Sequence, residues 1–121
     1  MSAWTWIGVA VLGGVGAIAR FAIDRRISDR LSGDFPFGTL AVNLSGALLL
    51  GLVTGLALSG DALVLAGTAT LGSYTTFSTW MLETQRLVED GAVRAASANA
   101  VLSVLLGVAA AALGRTIGAH L

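Results

Sequence analysis

Four apolar stretches of membrane-crossing length take up almost all of this 121-residue chain and leave room for little else. A helix needs about 20 apolar residues to cross the hydrocarbon of a bilayer, and the candidate spans cover residues 4–23, 37–58, 62–88 and 92–118. Charged side chains make up only 12% of the sequence, about half the roughly 25% of soluble domains, and they gather between the apolar stretches. Asp24 to Pro36 carries six of them around the only proline and reads as the one substantial loop, whereas Ser59-Gly60-Asp61 and Glu89-Asp90-Gly91 read as tight connections. The start of the chain lacks the basic region of a secretory signal and its apolar run is too long for one, so it reads as a retained span. The expected fold is an all-α integral membrane protein, one domain over residues 1–121 with four transmembrane helices.

Several function classes fall away on composition. All seven basic residues are arginines balanced by seven acids, and no basic patch of the kind that nucleic acid requires is visible. Without cysteine there are no disulfides, thiolate nucleophiles or cysteine metal sites. His120 is a lone histidine near the end of the chain with no serine or glutamate partner, so an intramembrane enzyme has no support. Gly14-x-Gly16-x-x-Ala19 imitates a dinucleotide fingerprint, but that signal needs a strand and a crossover helix, which four spans exclude. Gly51/Gly55, Gly114/Gly118 and Gly13/Ala17 are small residues at helical spacing and are expected to pack helices closely in lipid.

The third apolar stretch contains a polar interruption, Gly72-Ser73-Tyr74-Thr75-Thr76-Phe77-Ser78-Thr79-Trp80. Lipid offers no water to backbone groups, so a break at membrane depth must be buried in protein or line a polar cavity. On the second span Thr39, Asn43 and Gly46 share one helical face, and Asn99, Ser103 and Gly107 form a comparable stripe on the fourth. With Ser78 and Thr79, these would line a path of amides and hydroxyls that donate hydrogen bonds without carrying charge. Such a path suits a small, strongly hydrated anion, whereas carboxylate rings favour cations, and Glu83 is the only acid in or near a span core. Phe77 and Trp80 are neighbours on a helix face, and their positively polarised ring edges would coordinate an anion weakly enough to let it leave.

Gly13–Phe21, Gly38–Gly46 and Gly72–Trp80 resemble, in order and spacing, the three signature segments of the CrcB/Fluc fluoride channel family, and the likeness covers essentially the whole chain. It implies a dual-topology channel in which two subunits insert antiparallel and enclose two fluoride pores, with the third helix broken near the midplane. By the same resemblance, the backbone carbonyls of Gly72 and Thr75 would hold a structural Na⁺ at the dimer centre, which suits a hard cation's preference for oxygen. Asn43 matches the pore asparagine, Phe77 the first of two pore phenylalanines, Ser78 and Thr79 the hydroxyl track, with Ser103 on the fourth span, and Arg20 the arginine near the vestibule. Trp80 stands where the second phenylalanine is usual, and its indole is bulkier and brings an N–H donor.

The resemblance also implies passive export of fluoride from the cytoplasm through the cell membrane, which lowers fluoride toxicity. An inside-negative potential contributes about 2.3 kcal/mol per 100 mV toward anion exit. The arginines complicate the dimer: Arg25, Arg26, Arg30, Arg86 and Arg94 fall on one side of the membrane and Arg115 on the other, and such a bias favours one orientation. The partner is therefore either a second copy or an oppositely oriented paralogue, and a non-conducting partner subunit of a paired channel is a further possibility. A small multidrug-type transporter also has four short spans, but it needs a carboxylate in the first span, and residues 4–23 contain no Asp or Glu.

Overall fold

A computed structural model describes residues 1–121 and is helical throughout, without strands. Helix α1 (Ala3–Arg30) is followed by α2 (Phe37–Gly55), the short α3 (Gly60–Leu63), a π-helix (Val64–Leu71), α4 (Gly72–Tyr74), α5 (Ser78–Glu89) and α6 (Val93–Ala119). Helices α1, α2 and α6 are long and apolar enough to cross a membrane. Between α2 and α6 the chain is helical over residues 60–74, bends at 75–77 and resumes as α5.

Helix α1 starts with Ser2 as its cap, the Ser2 hydroxyl accepting from the Thr5 N–H at 3.2 Å. It then runs past its apolar part to Arg30, so the loop expected from Asp24 to Pro36 shrinks to residues 31–36. Once a helix is nucleated, each added residue gains a backbone bond at little extra cost, and here local contacts help: Ser28 Oγ donates to Asp24 Oδ1 at 3.1 Å and the Arg25 guanidinium lies 5.9 Å from the Phe21 ring centre. The two short connections are tight, but the first falls earlier than expected, at residues 56–59, with Gly60 and Asp61 already in α3. Gly91 takes a φ of +79°, and the Ala92 and Gly91 N–H groups return to Leu87 and Val88 at 2.8 and 3.0 Å, closing α5 with a Schellman motif. Gly60, at φ +58°, turns the chain into α3.

The main helix pair is α2 against α6. A Cβ at Gly51 or Gly55 would fall on the carbonyl of Ala111 or Arg115, and one at Gly114 or Gly118 on the carbonyl of Leu48 or Leu52. The two GxxxG pairs thus face each other and let the backbones touch, as their spacing predicts. On α1 the close approach falls at Gly16, against Ser73 and Thr70, while Gly13 lies at the edge of that contact. Large apolar side chains stay exposed around the outside, among them Trp4 at 81%, Ile18 at 71% and Val108 at 66%. A water-facing surface does not carry so much contiguous apolar area, which marks a multi-pass membrane protein.

Residues 60–74 pack chiefly on α1, whereas α5 packs chiefly on α6. The bend at 75–77 is therefore where the chain crosses over α2, leaving one neighbour for the other. Asn43 of α2 meets it there.

Candidate functional site

Thr75 is extended, with φ −77° and ψ 159°, and ends the helical run. The backbone of the next residue is held on both sides by one side chain: Asn43 Nδ2 donates to the Thr76 carbonyl at 2.9 Å, and the Thr76 N–H donates to Asn43 Oδ1 at 2.8 Å. A carboxamide carries a donor and an acceptor side by side, so it can serve the N–H and the C=O of one residue and replace both missing helical bonds at once. The Thr76 hydroxyl accepts from the Thr79 N–H at 3.2 Å and so caps the start of α5.

These bonds release two carbonyls. In an uninterrupted helix the Thr76 N–H would return to Gly72 and the Thr79 N–H to Thr75, but both donors are diverted, to Asn43 and to the Thr76 hydroxyl. The oxygens of Gly72 and Thr75 are left without those helical partners, and both residues line one cleft. Such oxygens are the ligand type a hard cation takes, so the residues expected to hold Na⁺ are chemically fit to do so.

That cleft has a volume of about 700 Å³. Asn43, Phe77, Trp80 and Ser103 share its wall with Gly72 and Thr75. A second pocket of about 210 Å³ is lined by Arg20, Thr39 and Thr79, together with Phe21, Asp24 and Val42. Thr76 lines both and is the partition between them. Ser78 lines neither and is exposed. The site residues read from the sequence thus divide into two groups on either side of the bend. Phe77 is 71% exposed, and its ring meets that of Trp80 edge to face at 5.3 Å and 74°.

Three polar groups are more committed than their positions alone imply. Thr39 Oγ1 donates to Glu83 Oε1, so its proton is engaged with α5. The Trp80 indole N–H donates to the Asn99 backbone carbonyl at 3.1 Å and is therefore turned away from the cleft. Asn99 itself is fully buried against α5 and leaves Ser103 and Gly107 to continue its stripe along the cleft. Thr76 and Thr84 are the residues that sequence reasoning misses. Thr76 is visible as a polar residue in the break, but only the Asn43 contact distinguishes it from Thr75; Thr84 has no signal apart from being four residues after Trp80.

A bend packed on the membrane-length helix α2, held by a carboxamide and bordered by freed carbonyls, hydroxyls and aromatic rings, provides weak ligands along a cleft. That is the make-up of a membrane channel. The chain belongs to the CrcB family: the family model described as "CrcB-like protein, Camphor Resistance (CrcB)" matches residues 7–115. It is similar to the fluoride-specific ion channel FluC 2 of Mycolicibacterium paratuberculosis, with 61% identity over 112 residues, 93% of this chain and 92% of the relative. A FluC 2 of Mycobacterium tuberculosis is 59% identical over 112 residues, covering 93% and 89%. The fluoride-specific ion channel FluC 1 of Symbiobacterium thermophilum is 44% identical over 120 residues, covering 94% and 97%.

Proposed function

We propose that this chain is a subunit of a fluoride channel that lets fluoride leave the cytoplasm passively through the cell membrane. The observation that carries the reading is the Asn43 clamp on Thr76, because it builds a polar bend with no charged ligand. Neutral donors and ring edges along such a bend favour a small anion while binding it weakly enough for conduction. Phe77, Trp80, Asn43 and Ser103 would line the path on the side of the larger cleft. Thr39, Thr79 and Arg20 would line its approach, with Ser78 extending the hydroxyl track. The protein is not an enzyme, and the high identity to relatives named as fluoride-specific channels supports the choice of ion.

In this reading residues 60–89 cross the membrane as a fourth, broken span, and two subunits pair antiparallel across the open cleft. Gly72 and Thr75 supply two carbonyls per subunit, and two copies would bring four around a structural Na⁺. A fluoride electrode outside liposomes containing the purified protein tests the reading: fluoride efflux is expected, with chloride held back, and a chain that releases no fluoride would refute it.

The distribution of arginines favours a fixed orientation, and the partner is either a second copy or an oppositely oriented paralogue. Reporters fused after Leu121 separate the two. A fixed orientation gives signal from one face of the membrane only; signal from both faces identifies a self-paired, dual-topology subunit.

A further inference from the structure

Trp80 does more in this chain than present an aromatic ring. Its indole N–H donates across to the Asn99 carbonyl of α6 at 3.1 Å. The Asn99 side chain then returns to α5, Nδ2 donating to Thr84 Oγ1 at 2.8 Å, and the Thr84 hydroxyl donates to the Trp80 carbonyl at 2.8 Å. The three bonds make a closed ring that starts and ends on Trp80 and joins two helices. Each donor is used once, and Asn99 is 0% exposed, so no water competes. Chains of hydrogen bonds in such surroundings reinforce one another. Ser103 Oγ, on the cleft wall, lies 3.5 Å from Asn99 Oδ1 as a further donor to the same hub.

We propose that Trp80 is a positioning residue, locked by the Asn99–Thr84 ring, that fixes the ring of Phe77 at the edge of the fluoride path. The geometry follows from the two contacts of the indole. Its N–H end is held by α6, and its ring meets the Phe77 ring at 74°, so Phe77 rests against a ring whose far end is anchored. A phenylalanine at position 80 would supply a ring without the donor, and its orientation would depend on packing alone. The proposal rests on the reading that Phe77 and Trp80 line the fluoride path, and its test separates the two.

The chain has three tryptophans, and Trp4 and Trp6 are exposed at 81% and 60%. With ¹⁵N-tryptophan protein in lipid nanodiscs, the Trp80 indole proton is expected to exchange with solvent deuterium far more slowly than that of Trp4, which stands in the first turn of α1 at the end of its span. Asn99→Ala removes the Asn99–Thr84 bond and Thr84→Val both bonds of the Thr84 hydroxyl, while the Asn99 backbone carbonyl that holds the indole is kept; each loosens the ring and is expected to speed that exchange about tenfold. The same two variants, and Trp80→Phe, should lower the ratio of fluoride to chloride efflux from liposomes, whereas Thr84→Ser, which keeps the hydroxyl, should restore both exchange and ratio. A Trp80 indole that exchanges as fast as Trp4 in a conducting channel overturns the lock and leaves the pore reading standing. A protected indole in a protein that carries no fluoride removes the pore reading and the positioning role with it. An unchanged selectivity ratio in Thr84→Val and Trp80→Phe, despite faster exchange in Thr84→Val, also overturns the proposal, because the ring would then be packing only.

Discussion

Asn43→Ala is expected to abolish fluoride efflux, with flux from liposomes falling by at least about 100-fold. The variant removes both bonds that hold the Thr76 backbone, and each backbone group left unpaired away from water costs about 1–3 kcal/mol. The bend then has two ways to recover, and neither keeps the site. If residues 75–77 wind into helix, the Thr76 N–H returns to the Gly72 carbonyl, and that oxygen is lost as a ligand. If they stay bent, the Thr76 peptide must find water or another partner at membrane depth. Asn43→Asp is an informative companion, since an ionised carboxylate accepts from the Thr76 N–H but cannot donate to its carbonyl; an intermediate flux is expected. Fluoride-electrode recordings, with size-exclusion profiles to verify assembly, decide the matter. Wild-type flux from Asn43→Ala would show that the clamp is dispensable.

The second large effect is on folding. Gly114→Leu is expected to eliminate folded, monodisperse protein, because even the first carbon of the new side chain would land on the Leu48 carbonyl, and α2 and α6 cannot both stay where they are. Overpacking typically costs about 1–3 kcal/mol where neighbours can move; here the neighbour is backbone, and the whole helix pair must separate. Gly14→Ala is the matched control, since a Cβ at Gly14 meets nothing within 4 Å. Yields of the monodisperse chromatographic peak should be near wild type for Gly14→Ala and close to nil for Gly114→Leu. Comparable yields would mean that the two GxxxG pairs do not set the helix packing.

Much of this architecture is legible in the sequence because lipid leaves few options. Continuous apolar length marks α1, α2 and α6, and Gly/Ser/Thr content marks where the remaining segment bends. Helical spacing is also enough to pair Gly51 and Gly55 with close packing, since small residues in lipid have little other use. The face shared by Thr39 and Asn43 is legible as a face, but its chemistry is only partly so. Periodicity says which side of a helix a residue occupies, but not whether its donor is free, and here Thr39 is spoken for by Glu83 and Asn43 by Thr76. The reach of α1 to Arg30 is hidden for a different reason. Charge marks the end of an apolar span, whereas a helix ends only where its backbone bonds do, and nothing before residue 31 breaks them. Asn99 shares a stripe with Ser103 and Gly107, yet it turns to Thr84 because an amide at that depth takes the nearest hydroxyl.

The π-helical stretch Val64–Leu71 gives the molecule an angular adjustment. Each π turn takes in one more residue than an α turn, so it changes the azimuth at which everything after it emerges. If one turn within 64–71 relaxed from π to α with every residue kept, its extra residue would carry Gly72 and Thr75 about 100° further round relative to Gly60, at about 3.6 residues per turn. The two freed carbonyls would then point along a different bearing, although no ligand had been altered. The direction of those oxygens is thus set upstream by a residue count.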